Sequence, residues 1–226
     1  MPVNKEAYLQ VKKELDAEGV TLVAVSKTKP VADILELYHL GQRDFGENYV
    51  QELVDKQPQL PPDIRWHFIG HLQRNKVKYI APFVHLIHGV DSFTLLQEIN
   101  KQAEKNNRVL SVLLQIHIAT EETKFGLNET ELKELIAALA DVPLPHIHIE
   151  GLMGMASFTD DVEKIKSEFH FLHTLYQKYT LLKTSNLHFT QLSMGMSSDY
   201  KWAVAAGTTM VRIGSLLFGA RTTASK

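Results

Sequence analysis

Cysteine is absent from the 226 residues of the chain, which excludes disulfides, thiolate metal sites and a cysteine nucleophile. Excess charge is also lacking, since 24 lysines and arginines against 26 acidic residues leave a net charge of -2. This balance gives no electrostatic reason to expect nucleic acid or an anionic membrane as a partner. No apolar run approaches the roughly 20 residues that span a bilayer, and the N-terminus lacks the pattern of a signal peptide. We therefore expect a cytoplasmic protein without nucleic-acid or membrane partners.

Glycine-rich nucleotide-binding motifs are missing too, because neither GxGxxG nor a P-loop follows the first apolar segment. What is present is an alternation of short apolar segments with longer segments of helical period. The predicted strands are 21–26, 43–46, 65–69, 84–90, 109–119, 146–154, 188–193 and 209–214.

Helices are predicted between these strands from periodicity and capping signals. Segment 128–140 begins at Asn128 with Glu131 three residues later, which resembles a capping box, and its leucines repeat with helical spacing. The other predicted helices are 4–18, 31–41, 91–107, 161–179 and 198–207.

Strands that alternate with helices imply parallel pairing through helical crossovers. Eight such strands favour a closed (β/α)8 barrel of α/β class. An open doubly wound sheet is the main competitor, and the missing nucleotide motifs weaken it. No linker or low-complexity tract interrupts the chain, so a single domain is predicted over 1–226. The chain ends about a dozen residues after the last strand, so we expect helix 4–18 to cover the gap in the helical ring.

Polar residues gather where the predicted strands end, and barrels of this type carry their sites at the C-terminal ends of the strands. The candidates there are Lys27, Glu47, Asn48, His67, His71, His88, Asp91, Lys124, Met155, Ser157, segment 193–199, Arg212, Gly214 and Ser215.

Two of these positions predict a phosphate site. The segment LSMGMSSDY combines Gly195 with several hydroxyls just before predicted helix 198–207, whose first amides would be unpaired. After the eighth strand, Gly214 allows the backbone to approach a ligand closely. The alternative is that the serines only cap the helix.

Lys27 directly follows an apolar strand, whereas most lysines after strands are solvated. A dry environment disfavours an ammonium, and a neutral amine can attack a carbonyl to form a Schiff base. Beside a phosphate site, such a lysine indicates either an aldolase-like barrel or a pyridoxal phosphate protein.

The histidine pairs do not predict a metal site. His67 and His71 are four residues apart but belong to a strand segment, so they would not share a helix face. His146 and His148 share a strand face without an evident third ligand. We therefore assign no metal ligands.

Seven segments occur in order along the chain: VAVSKTKP, FGENYVQE, WHFIGHLQRNK, ETKFGL, GLMGMASF, LSMGMSSDY and VRIGSLLFGAR. Together, from about residue 20 to 221, they resemble the pyridoxal phosphate homeostasis proteins, which are single-domain relatives of the alanine racemase N-terminal barrel. The resemblance implies a (β/α)8 barrel that binds pyridoxal 5'-phosphate through an aldimine with Lys27. It further implies that Ser197 gives a hydroxyl, and Gly214 with Ser215 backbone amides, to the cofactor phosphate. Ser193 could share that role.

Arg212 matches the arginine that donates to the pyridine nitrogen in this family. Arginine stays protonated, so it leaves that nitrogen unprotonated and the ring a weaker electron sink. The site would then be suited to holding the aldehyde rather than to cleaving bonds of an amino acid. The remaining residues that the resemblance places around the pocket are Asn48, His67 and Met155.

The racemases use a second base, a tyrosine from an additional β domain contributed across a dimer. The sequence ends at Lys226 without such a domain, so we expect no racemase activity, no catalytic residues, a monomer and an open cofactor mouth. The expected function is intracellular homeostasis of pyridoxal 5'-phosphate, and hand-over to apo-enzymes that depend on it is a further hypothesis. The alternatives are a pyridoxal phosphate-dependent racemase or lyase and a cofactor-free Schiff-base aldolase.

Overall fold

A computed structural model describes residues 3–120, 125–182 and 184–219. The strands in these residues are β1 (Thr21–Val25), β2 (Asp44–Glu47), β3 (Arg65–Phe68), β4 (Leu86–Val90), β5 (Leu110–Ile116), β6 (Ile147–Gly154), β7 (Leu187–Ser193) and β8 (Met210–Ile213). Each strand is parallel to the next, and β8 pairs with β1 to close the sheet into a barrel. The predicted (β/α)8 barrel is confirmed, and the open sheet is excluded.

Helices connect the strands on the outside of the barrel. They are α1 (Lys5–Ala17), α2 (Val31–His39), α3 (Val50–Lys56), α4 (Val77–Ile80), α5 (Phe93–Lys105), α6 (Glu129–Asp141), α7 (Val162–Thr180), α8 (Tyr200–Ala205) and α9 (Ser215–Phe218). The predicted helices are found with ends shifted by one or two residues, whereas the short helices α3, α4 and α9 were not predicted. No helix in the described ranges is long and apolar enough to cross a membrane.

Capping residues set the starts of the longer helices. At α6 the Asn128 side chain accepts from the Glu131 amide at 2.9 Å, and the Glu131 carboxylate accepts from the Asn128 amide at 2.8 Å, which completes the predicted capping box. At α5 the cap is Ser92, since its hydroxyl accepts from the Leu95 amide. These caps satisfy amides that have no partner within the helix.

Helix α1 lies against β1 and the short α9, as expected for a segment that completes the helical ring. Its face toward the barrel buries Tyr8, Val11 and Leu15. The Asn4 amide, just before the helix, donates to the Leu217 carbonyl at 2.8 Å and ties α1 to α9.

The inside of the barrel holds an apolar layer that is separate from the larger core between strands and helices. This layer consists of Val23, Leu86, Leu113, Met153 and Met210. Met155 packs against it from the C-terminal side and also lines the cavity at that end of the barrel. The apolar layer therefore lies below the cavity at the C-terminal end of the barrel.

Candidate cofactor-binding site

A cavity of about 430 Å³ opens at the C-terminal end of the barrel. Its walls come from the ends of β1, β2, β3, β6, β7 and β8 and from the loops that follow them. Seven residues predicted from the sequence line it: Lys27, Asn48, Met155, Ser197, Arg212, Gly214 and Ser215. The structure thus brings together residues that are far apart along the chain.

The loop after β1 holds half-buried Lys27 at this cavity. On one side the Thr28 amide donates to Glu52 Oε1 at 2.6 Å, and Thr28 adopts a left-handed conformation with φ of 63°. On the other side Lys29 Nζ donates to the Phe218 carbonyl at 2.7 Å. Bonds on both sides of Lys27 therefore fix the backbone that presents its amine.

A buried ion cluster supports the same loop from below. Lys56 Nζ donates to the Ser26 carbonyl at 2.8 Å and to Glu47 Oε1 at 2.7 Å, and the Ser26 hydroxyl donates to the same carboxylate at 2.7 Å. Burial raises the pKa of Glu47 against the opposing effect of Lys56. The sequence indicated Glu47 as a strand-end residue but not Lys56, because Lys56 lies on the unpredicted helix α3.

The loops after β7 and β8 meet in one corner of the cavity. The Gly214 amide donates to Ser197 Oγ at 3.2 Å, so a hydroxyl and a backbone amide converge there. Gly195 turns the first loop with φ of 95°, where a Cβ would lie 2.6 Å from the Ala203 side chain. Ser215 begins α9, where the first amides have no intrahelical acceptor. This corner has the donors that a phosphate group requires.

Arg212 is buried in the cavity floor. Its Nη1 donates to Ser193 Oγ at 2.6 Å and its Nη2 to the Gly154 carbonyl at 2.9 Å. Burial lowers the pKa of Arg212 to about 10, opposed by Asp199, so the side chain is still a cation at neutral pH. The site therefore contains a fixed hydrogen-bond donor that does not accept protons.

His67 and Ser193 do not line the cavity, although the resemblance placed both near the cofactor. Both side chains are buried beneath the floor, where His67 contacts His88 and Asp44, and Ser193 contacts Arg212 and His88. Side chains on a strand alternate between faces, so Ile69 reaches the cavity while His67 occupies the layer below on the same face. A direct contact of either residue with the cofactor stays a prediction.

The other strand-end candidates lie outside the cavity lining or outside the described residues. His71 is exposed and stacks on Phe125 with ring centroids 4.1 Å apart. Ser157 is buried, and its hydroxyl donates to Glu168 at 2.6 Å. Lys124 falls in the range that is not described. Within the described ranges, no cluster of three or more His, Asp or Glu could hold a metal.

Asn48 has an unsatisfied side-chain oxygen in the cavity wall, a feature that sequence patterns cannot predict. Its Oδ1 atom is buried and makes no hydrogen bond within the described part of the chain. Buried polar atoms in native proteins nearly always have a partner, so this acceptor in the cavity wall is available to a donor group of a ligand. The residues present therefore fit a phosphorylated ligand with further polar groups.

Comparisons with known proteins agree with this geometry. The family described as "Alanine racemase, N-terminal domain" matches residues 5–222. The pyridoxal phosphate homeostasis protein of Escherichia coli K12 is 42% identical over 208 residues, which cover 90% of this chain and 87% of that protein. The human protein of the same name is 39% identical over 229 residues, covering 96% and 82%.

Solved structures show the same barrel. PipY of Synechococcus elongatus PCC7942 without PLP has a TM-score of 0.88 at 36% identity, covering 95% of this chain and 99% of that one. Its form with PLP bound has a TM-score of 0.85 at 35% identity, with the same coverage. Alanine racemase of Clostridium difficile 630 has a TM-score of 0.75 at 15% identity, covering 99% of this chain and 60% of that one, and shows the fold alone.

Fold and site thus define a barrel of the alanine racemase N-terminal class. Within that class the chain belongs to the pyridoxal phosphate homeostasis protein family, which confirms the resemblance drawn from its motifs.

Proposed function

We propose that this protein binds pyridoxal 5'-phosphate in the cavity, holds it reversibly as a Schiff base on Lys27, and so buffers the free cofactor in the cell. One observation carries the proposal: an amine, a corner of hydroxyl and amide donors, and a buried cation line the same cavity at one end of the barrel. Relatives named for pyridoxal phosphate homeostasis and a PipY structure with PLP bound support it.

The phosphate would occupy the corner formed by Ser197, Gly214 and Ser215. Hydrogen bonds to a charged group contribute more than those between neutral groups, so even a few donors can hold a phosphate. The Gly214 amide already donates to Ser197 Oγ, which leaves the Ser197 hydroxyl hydrogen able to turn toward an anion.

Arg212 would hold the pyridine nitrogen of the cofactor through a hydrogen bond from its guanidinium. A guanidinium has donors only, so the ring nitrogen must accept from it and stays unprotonated. An unprotonated pyridine withdraws electrons from a carbanion less effectively than a pyridinium does. This electronic character favours storage of the cofactor over chemistry on amino acids.

Lys27 would join the cofactor by an exchange that needs no further reagent. Its neutral amine would hold the aldehyde carbon through a C=N bond, and the carbonyl oxygen would leave with the two amine hydrogens as water. The reverse step takes up water and releases the aldehyde. Reversibility allows the protein to hand the cofactor to apo-enzymes, which we propose as its cellular role.

We propose that the protein has no catalytic turnover of its own. Among the described residues that line the cavity, the ionisable side chains are Lys27, Lys29 and Arg212, and none is a carboxylate, an imidazole or a phenol. Racemisation by two bases needs a second positioned acid or base beyond the lysine that binds the cofactor. This lining supports a carrier rather than a two-base racemase.

Borohydride reduction after incubation with pyridoxal 5'-phosphate tests the proposal. We expect a fixed adduct whose mass maps to the peptide containing Lys27, and loss of that adduct in Lys27→Ala. Lys29→Ala is the matched control, because Lys29 lies on the same loop and lines the same cavity, and it should retain the adduct at Lys27. A colourless protein that binds no cofactor would favour the aldolase, and steady turnover of an amino acid would favour the enzyme.

A further inference from the structure

A continuous chain of hydrogen bonds crosses the barrel interior beneath the proposed cofactor site. Its members are Asp44, His67, His88, Ser193 and Arg212, and each is at least nine-tenths buried. The distances along it are 3.0 Å from Asp44 Oδ1 to His67 Nε2, 2.9 Å from His67 Nδ1 to His88 Nε2, 3.1 Å from His88 Nδ1 to Ser193 Oγ, and 2.6 Å from Ser193 Oγ to Arg212 Nη1. Asp44 begins β2, so the chain runs from the N-terminal end of the barrel to the cavity floor.

The residues at the two ends of this hydrogen-bond chain determine the direction in which its bonds are donated. Arg212 can only donate, so Ser193 Oγ accepts at one end. At the other end, burial alone would raise the pKa of Asp44, but the hydrogen bonds from His67 and Arg65 outweigh it and hold that pKa well below its ordinary value. Asp44 is therefore an ionised acceptor, and His67 Nε2 must donate to it.

The directions of the hydrogen bonds in the middle of this hydrogen-bond chain follow when both histidines are neutral. With its proton on Nε2, His67 accepts at Nδ1 from His88 Nε2, and His88 then accepts at Nδ1 from the Ser193 hydroxyl. His67, His88 and Ser193 each donate one bond and accept one, so none of these three buried groups lacks a partner. Burial lowers the pKa of His88 well below its ordinary value, which agrees with a neutral ring.

We propose that His88, acting through Ser193, is a positioning residue that holds the Arg212 guanidinium in the orientation that meets the pyridine nitrogen. The inference rests on the proposed function. Ser193 can orient Arg212 only while its own hydroxyl hydrogen points away from the guanidinium, and His88 Nδ1 is the acceptor that holds it there. The Gly154 carbonyl is the second fixed contact, so two bonds set the plane of Arg212.

The first test needs no cofactor. Nitrogen-15 spectra of the histidine side chains distinguish the two neutral tautomers from the charged ring. We expect neutral His67 and His88 in the wild-type protein, each with its proton on Nε2. A charged His67, or a His88 with its proton on Nδ1, would reverse the chain at Ser193 and overturn the inference.

The second test compares His88→Leu with His88→Asn. The Asn Oδ1 can replace Nδ1 as the acceptor for Ser193, whereas Leu fills space without one. If His88 positions Arg212, Leu should weaken cofactor binding about tenfold and change the absorption spectrum of the bound cofactor, while Asn should retain most of the affinity. A packing role predicts the opposite order, since Leu suits an apolar interior better than a buried amide does.

Met153→Leu is the matched control, because Met153 lies opposite Ser193 on the neighbouring strand and belongs to the apolar layer. We expect unchanged binding and spectrum in this variant. Equal affinity and spectrum for His88→Leu and wild type would overturn the inference while leaving the proposed function intact. Absence of binding and of a Lys27 adduct in the wild-type protein would instead overturn the proposed function, and the positioning role with it.

Discussion

Lys56 and Glu47 form an ion pair of 2.7 Å that is almost sealed from solvent, with side chains 8% and 0% exposed. The same Nζ also donates to Glu52 at 2.6 Å and to the Ser26 carbonyl at 2.8 Å. Since Glu52 in turn accepts from the Thr28 amide, the cluster connects helix α3 to both sides of Lys27. The loop of the proposed cofactor lysine thus depends on a buried charge cluster that lies outside the cavity lining.

Replacement of Lys56 by Met should destabilise the protein by about 3 kcal/mol, because it leaves a buried carboxylate without its cation. Denaturant unfolding at neutral pH measures this loss. Lys101→Met is the control, since Lys101 is exposed on α5, and its effect should stay within about 0.5 kcal/mol. Similar small losses in both variants would mean that the cluster contributes little to the fold.

The loss in Lys56→Met should also depend on pH. Burial raises the pKa of Glu47 above its ordinary value of 4.5, and without Lys56 it should rise further. Between the ordinary and the folded pKa the unfolded state is ionised while the folded state is protonated, so stability falls as pH rises. The loss in free energy of unfolding of Lys56→Met relative to wild type should therefore be smaller near about pH 5 than near about pH 8. An equal deficit at both would mean that Glu47 is not the group left unpaired.

Asn in place of Asp44 should reduce stability at neutral pH but not in strong acid. The pKa of Asp44 is held well below its ordinary value of 3.8, so its carboxylate stabilises the fold above that value. This contribution declines as pH falls below 3.8 toward the folded pKa, and is lost once the folded state is also protonated. Unfolding curves of wild type and variant should converge on acidification. Curves that stay a constant distance apart would exclude the charge as the cause.

The phosphate corner makes a prediction about ligand specificity. Ser197→Ala should weaken binding of pyridoxal 5'-phosphate about tenfold, because a hydrogen bond to an anion is lost. Pyridoxal, which lacks the phosphate, should bind wild type and variant equally. Ser197→Thr keeps the hydroxyl and should restore the preference. Equal losses for both ligands in equilibrium titrations would place the phosphate elsewhere.

The sequence predicts the barrel well because eight apolar segments alternate with helical ones, and that pattern has few solutions. It also identifies Lys27, Arg212 and Gly214 as strand-end residues, since position along a strand decides which end of the barrel a residue faces. The sequence does not predict how far below the cavity a side chain lies along the barrel axis. His67 shares a strand with Ile69 but lies one layer lower, beneath the cavity floor.

The sequence patterns likewise do not predict contacts between segments that are far apart along the chain. Lys56 was missed because α3 has only seven residues, too few for a clear helical period. The bond from His88 to Ser193 joins residues that are 105 positions apart, and no local pattern encodes such a separation. Only the closed barrel brings these side chains together.

Gly70 supports Asn48 by its lack of a side chain. A Cβ at Gly70 would lie 2.2 Å from the backbone carbonyl oxygen of Asn48. Gly70→Ala must therefore displace the backbone that carries the Asn48 side chain, whose Oδ1 is unsatisfied. We expect a loss of stability of about 1–3 kcal/mol from overpacking, together with weaker cofactor binding. Gly19→Ala is the control for lost stability alone, since Gly19 has a φ of 67° but lies outside the cavity lining. If both variants lose stability yet bind the cofactor as tightly as wild type, Asn48 does not contact it.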